Sequence, residues 1–214
     1  MSVFSIFNAS FIGLLLVGIF SWNLKLIIIF FVLFLISLVI GWWDLGGSND
    51  HYPPAFWLFI LSEVIIFGGL FTCCFYYDTH NYVNLSSAIE IPFVGCFVLL
   101  SSSITLTIFH HAMDWEFSWI LLVMTIILGF CFVGLQILEF NDIDITLLDT
   151  PFHATSFCTV GLHFLHVLGG ALCICGIMIV GVSAAGFYRC TLITWYWHFV
   201  DYIWLFVYMI IYVC

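Results

Sequence analysis

Apolar residues run along this chain in long unbroken stretches, and polar residues collect in the short breaks between them. The stretches read as seven helices. Helix I covers Val3–Phe20, II Leu24–Trp43, III Ala55–Tyr77 and IV Ile91–Met113. Helix V covers Phe117–Phe140, VI Pro151–Val182 and VII Thr191–Val213. Each is close to or above the roughly 20 apolar residues that cross a bilayer, and none alternates every second residue as a barrel strand does. The breaks carry turn chemistry or charge: Ser21-Trp22-Asn23, the run from Gly46 to Asp50, Asp78 to Glu90, Asp114 with Glu116, Asn141 to Thr150, and Ser183 to Arg189. Pro54, Pro92 and Pro151 fall at helix starts, where the missing N–H costs nothing. Helix VI is too long for one span, so its first turn or two belongs at the membrane interface. No internal repeat or low-complexity segment interrupts the pattern.

Composition agrees with the pattern and narrows it. Of 214 residues, 65% are hydrophobic and 7% charged, against about 25% charged in a soluble domain. So few charges cannot cover a soluble surface. Lys25 and Arg189 are the two cations against twelve Asp and Glu, which excludes a phosphate-binding patch and hence nucleic acid as a partner. They lie in the I–II and VI–VII breaks, on opposite sides of a seven-span bundle, so positive charge does not orient the chain. The side holding the N-terminus is called side 1 below. The nine cysteines form no C-x-x-C pair and sit mostly in apolar stretches, as small packed hydrophobes do. The sequons at Asn8 and Asn84 carry no weight, and the first stretch lacks the basic leader and cleavage site of a secretory signal. Twenty-five phenylalanines with almost no lysine point to a T-rich genome such as an organelle's.

Ionisable residues inside spans are costly and are functional candidates by default. Glu63 lies eight residues into helix III, about 12 Å below side 1 at 1.5 Å per residue. At that depth it needs a partner, a proton or water; a hydrogen-bonded packing acid and a functional carboxylate both satisfy this. His198 and Asp201 on helix VII are spaced i,i+3 and share a face, which allows a direct hydrogen bond between them. Helix IV returns toward side 1 and carries His110 and His111 two or three residues before its end, so all five residues fall in the same leaflet. His163 and His166 are another i,i+3 pair near the middle of helix VI. Haem needs axial ligands on facing helices and copper gathers about three ligands, so this pair alone reads as packed or hydrogen-bonded histidine. Glu139 closes helix V near side 2, three residues after Gln136, where it would cap or snorkel. Tryptophans such as Trp22, Trp42, Trp43, Trp195, Trp197 and Trp204 read as interfacial belts or packing.

Four stretches together resemble subunit III of the haem–copper cytochrome c oxidases. They are FILSEVIIF from Phe59 to Phe67, ITLTIFHH from Ile104 to His111, GLHFLHVLG from Gly161 to Gly169, and WYWHFVDYIWL from Trp195 to Leu205. Trp42-Trp43-Asp44, Glu90-Ile91-Pro92 and Leu135-Gln136 with Glu139 are smaller matches. The resemblance covers roughly residues 40 to 213; helix I matches only in being a span.

The resemblance implies an all-α integral membrane protein with seven transmembrane helices in two bundles, I–II (residues 1–46) and III–VII (residues 47–214), with a lipid-filled cleft between. It implies a non-catalytic core subunit of complex IV, in the mitochondrial inner membrane or, alternatively, a bacterial plasma membrane. This chain would hold no haem or copper; those belong to partner subunits, with subunits I and II, accessory subunits and phospholipids as its neighbours. Cytochrome c would be met only through the complex. Glu63 matches the family's intramembrane glutamate near the proton-uptake side. His110, His111, Glu139, His163, His166, His198 and Asp201 match its polar motif positions and are structural, with no metal site. Trp42, Trp43, His51 and Trp57 are the candidates for lipid contact. The III–IV connection is shorter than in animal relatives, and Asp44 to Pro54 lacks the Arg or Lys common there. A related quinol oxidase is the alternative within the family. A self-contained proton-coupled transporter using Glu63 and the His198/Asp201 pair is the alternative outside it, and the lack of repeats argues against that.

Overall fold

The computed structural model describes residues 13–15, 17–18, 21, 23–45, 53–78 and 85–213. The described residues are helical, turn or irregular, without a strand among them. The chain divides into two compact units, residues 1–51 and 52–214.

In the first unit the described part of helix I is helical, and most of that predicted span lies outside the described residues. The turn that follows closes through Ser21 N to Val17 O at 3.0 Å and Asn23 N to Gly18 O at 2.9 Å. Asn23 then starts helix α1, Leu24–Leu45. Its side-chain oxygen accepts from Lys25 N at 3.2 Å, the bond that makes asparagine a good helix start.

The second unit contains α2 (Pro53–Tyr77), α3 (Ile91–His111), α4 (Ser118–Asp142), α5 (Pro151–Val180), the one-turn α6 (Val182–Ala185) and α7 (Phe187–Tyr208), which runs on as a π turn, Met209–Val213. Counting α7 with its extension, five helices here are long and apolar enough to cross a membrane. Proline sits in the first turn of α3 and α5. Thr150 caps α5 by accepting from His153 N at 3.1 Å. Thr150→Ala should cost about 1 kcal/mol, the usual worth of such a cap, read as a lower midpoint in detergent unfolding. In the preceding loop Asp149 accepts from Thr146 N at 2.6 Å and Thr146 Oγ1 at 2.8 Å, bonds that hold its carboxyl below the ordinary carboxylate range. That contribution is full at neutral pH and is lost as the pH falls through the lowered value.

Several helix ends differ from the sequence expectation, each for a local reason. Helix VI stops at Val180 because Gly181 takes φ +86°, and Gly186 at φ +81° separates α6 from α7. These left-handed conformations suit glycine and end a helix. The break expected from Ser183 to Arg189 is therefore two glycine corners, and Arg189 lies in the first turn of α7. α3 ends at His111, where Ala112 N is shared between the carbonyls of Ile108 and Phe109. His110 and His111 are thus its last two residues. α5, at 30 residues, is about 45 Å long against a hydrocarbon core of about 30 Å, so it projects beyond the core.

α3, α4, α5 and α7 pack as a ring of neighbours, and α2 lies outside it against α5 with a smaller contact to α7. The centre holds Trp197, Trp204, Phe132, Leu99, Leu106, Leu122 and Ile174, all fully enclosed. Outward faces carry Ile65, Ile104, Ile127, Leu165, Leu172 and Ile179, large apolar side chains left exposed. A soluble domain would not display such a surface; a bilayer solvates it. Lipid tails are as apolar as leucine, so close packing and polar contacts hold such helices together. Trp197 shows both. Its Nε1 donates to Ser102 Oγ at 2.9 Å, and its ring lies where a Cβ on Gly129 or Gly170 would come within 2.9 or 2.8 Å.

Candidate functional site

α2, α5 and α7 bring Glu63, His166 and Tyr196 together. His166 Nε2 lies 3.0 Å from Glu63 Oε2, with side chains 12% and 15% exposed. The other ring nitrogen, Nδ1, lies 2.8 Å from the Leu162 carbonyl, which can only accept, so Nδ1 carries a hydrogen. One proton therefore sits between Nε2 and the carboxyl. The pair is an imidazolium with a carboxylate or a neutral imidazole with an acid, and it is neutral overall either way. Tyr196 stacks on His166 with ring centres 6.3 Å apart and on Phe59 at 6.2 Å. Its hydroxyl donates to the His166 carbonyl at 3.4 Å. Phe67 packs edge-on to the imidazole at 5.4 Å. α2 starts at Pro53, so Glu63 lies ten residues in, about 15 Å along the helix.

His163, one turn before His166, faces elsewhere. It is fully buried, donates from Nε2 to the Val200 carbonyl at 3.1 Å, and packs against Phe132 and Trp204. The two histidines thus diverge, and no three His, Cys, Asp or Glu side chains gather to hold a metal among the described residues.

The expected direct bond between His198 and Asp201 is absent. His198 Nδ1 lies 2.6 Å from Ser103 Oγ on α3, and its Nε2 is 3.3 Å from Thr107 Oγ1. Asp201 is buried, with Ser103 also beside its carboxylate. Spacing puts both residues on one face of α7, but His198 meets a hydroxyl of α3 instead. His110 meets Thr191 at 3.2 Å and stacks edge-on against the exposed His111. Of the five polar residues assigned to side 1, Glu63 meets His166, while His110, His198 and Asp201 line the α3–α7 seam and His111 is exposed beside His110. The Ser101-Ser102-Ser103 run inside an apolar helix was the signal for the missing partners.

Glu139 neither caps nor snorkels. It is 2% exposed because α4 continues to Asp142 and residues 85–86 fold over it. Ser86 Oγ donates to Oε1 at 2.7 Å and Gln136 Nε2 to Oε2 at 2.6 Å; buried Tyr212 lies beside both. Next to this cluster a cleft of about 640 Å³ opens between Ser86, Glu90, Asp142 and Asp144. Of the lipid candidates, Trp57 is exposed and lies against Trp195 with ring centres 5.1 Å apart. Trp42 and Trp43 lie on α1, their side chains outside the described residues, and His51 is outside them altogether.

Comparison with known proteins covers most of the chain. Residues 52–214 match the family model of cytochrome c oxidase subunit III. Cytochrome c oxidase subunit 3 of Danio rerio is 29% identical over 219 residues, 89% of this chain and 84% of that protein. The Scyliorhinus canicula protein of the same name is 30% identical over 220 residues, 89% and 84% of the two chains. That of Gadus morhua is 32% identical over 210 residues, 85% and 80%. With the helical membrane architecture, these matches make the chain a member of the cytochrome c oxidase subunit III family.

Proposed function

We propose that this chain is the non-catalytic subunit III of a respiratory cytochrome c oxidase in the mitochondrial inner membrane, encoded in the organelle. Electron transfer from cytochrome c to oxygen and the coupled proton pumping belong to subunits I and II, which hold the haem and copper. This chain steadies subunit I, its phospholipids and its proton uptake. It does so with seven spans in two bundles, residues 1–46 and 47–214, and Trp42, Trp43, His51 and Trp57 are its candidates for lipid contact. The observation that carries this reading is the similarity to oxidase subunits over 85% or more of the chain.

Within that role, Glu63 with His166 is the candidate intramembrane group near the proton-uptake side. The support is their geometry: two titratable groups share one proton within a span, where unpaired charge is costly. Glu63→Gln keeps a donor toward His166 Nε2 but removes the exchangeable proton. In the assembled oxidase this variant should leave haem content unchanged and shorten, several-fold, the time that turnover is sustained. Native rate, proton stoichiometry and inactivation rate in that variant would reduce Glu63 to a packing residue.

A further inference from the structure

Asp201 stands apart from the Glu63–His166 pair. It is 2% exposed, and neither carboxylate oxygen makes a well-formed hydrogen bond. An unpaired charge so enclosed has nothing to compensate its lost hydration. Yet the residue is not isolated from proton carriers. The Ser103 hydroxyl lies beside it and is 2.6 Å from His198 Nδ1. His198 is half-buried, and its Nε2 is 3.3 Å from the exposed Thr107 hydroxyl. One turn nearer the helix end, His110 meets Thr191. Thr107 is four residues from the end of α3, about 6 Å, and Asp201 is ten residues beyond Thr191, about 15 Å deeper along α7.

We infer that Asp201 is a proton-binding site, filled through His198 and Ser103 from the membrane face where α3 ends and α7 begins. The transfer balances without a co-reactant. A proton adds at His198 Nε2, the Nδ1 proton passes to Ser103 Oγ, and the Ser103 hydroxyl proton passes to an Asp201 carboxylate oxygen. His198 is left as the other neutral tautomer, Ser103 remains a hydroxyl and Asp201 becomes an uncharged acid. Three titratable groups on the surrounding helices are engaged elsewhere. His163 on α5 is bonded to the Val200 carbonyl, Glu63 on α2 is paired with His166, and His110 contacts Thr191.

Infrared difference spectroscopy on the intact oxidase complex tests this. The native complex should show the carbonyl stretch of a buried carboxylic acid that Asp201→Asn removes, and that band should shift on transfer to deuterated water. Ser103→Ala and His198→Phe should each slow the shift by roughly a hundred-fold, the low end of what a positioned proton-transfer group contributes. If Asp201→Asn does not assemble, Ser103→Ala alone decides, because losing its hydroxyl should both move the band and slow its exchange. A spectrum unchanged in Asp201→Asn, or exchange at the native rate in Ser103→Ala and His198→Phe, would overturn the proposal.

Discussion

Trp197→Ala should be the most destabilising single change in the second unit, costing roughly 3–5 kcal/mol, the range for emptying a large aromatic site. The indole is fully enclosed, bonded to Ser102 and set against Gly129 of α4 and Gly170 of α5. It joins all four helices of the ring at one point. The two glycines exist for it: a methyl on Gly170 would lie 2.8 Å from Cε3, and one on Gly129 2.9 Å from Cη2. Neither ring atom belongs to a flexible tail that can step aside. Gly170→Ala should therefore cost about 1–3 kcal/mol through overpacking. Combined with Trp197→Leu, the same glycine substitution should cost much less, because the atoms it strikes are gone. Detergent-induced unfolding of the single and double variants measures this coupling. Additive effects would mean that the glycines serve backbone geometry and not the indole.

Glu139→Leu is the second large effect, near the C-terminal end of α4. The carboxylate, on a residue 2% exposed, takes two donated hydrogen bonds, from Ser86 and from the buried Gln136. Leucine fills the volume but strands both donors, each at about 1–3 kcal/mol when a buried partner is removed. Converting the donors as well, with Ser86→Ala and Gln136→Leu, should recover most of the loss, since replacing all partners by apolar groups leaves nothing unpaired. Tyr212 of the π turn lies beside this network, so Glu139→Leu should also loosen the C-terminal residues, read by faster amide exchange there. A variant as stable as the native chain would show that the buried carboxylate is dispensable.

The existence of the helices was legible because runs of twenty apolar residues admit little else. Their ends were less so. A positive φ at Gly181 and Gly186 ends and restarts helices without any polar residue, whereas Arg189 marks no boundary. Depth was readable along a helix, and lateral neighbours were not. Glu63 stood out as a costly carboxylate, but its partner His166 is 103 residues away and meets it only through the packing of α2 on α5. His198 and Asp201 misled for the converse reason: a shared face within one helix is visible in spacing, while a hydroxyl arriving from another helix is not. Glu139 looked terminal because Asn141 and Asp142 are polar, yet the helix continues through both. Polar residues within spans thus announced where partners must be, and the packing decided who they are.

The central claim is that this chain works as one subunit of an oxidase whose redox centres lie in its neighbours. Mild solubilisation of the native membrane, capture on a tag carried by this chain, and the optical spectrum with subunit composition of the captured material test it directly. The chain should emerge in fixed ratio with haem- and copper-bearing polypeptides, and the haem absorbance should stay with them when the subunits are separated. Recovery of the chain without those partners, or a haem band that remains on this polypeptide alone, would contradict the account.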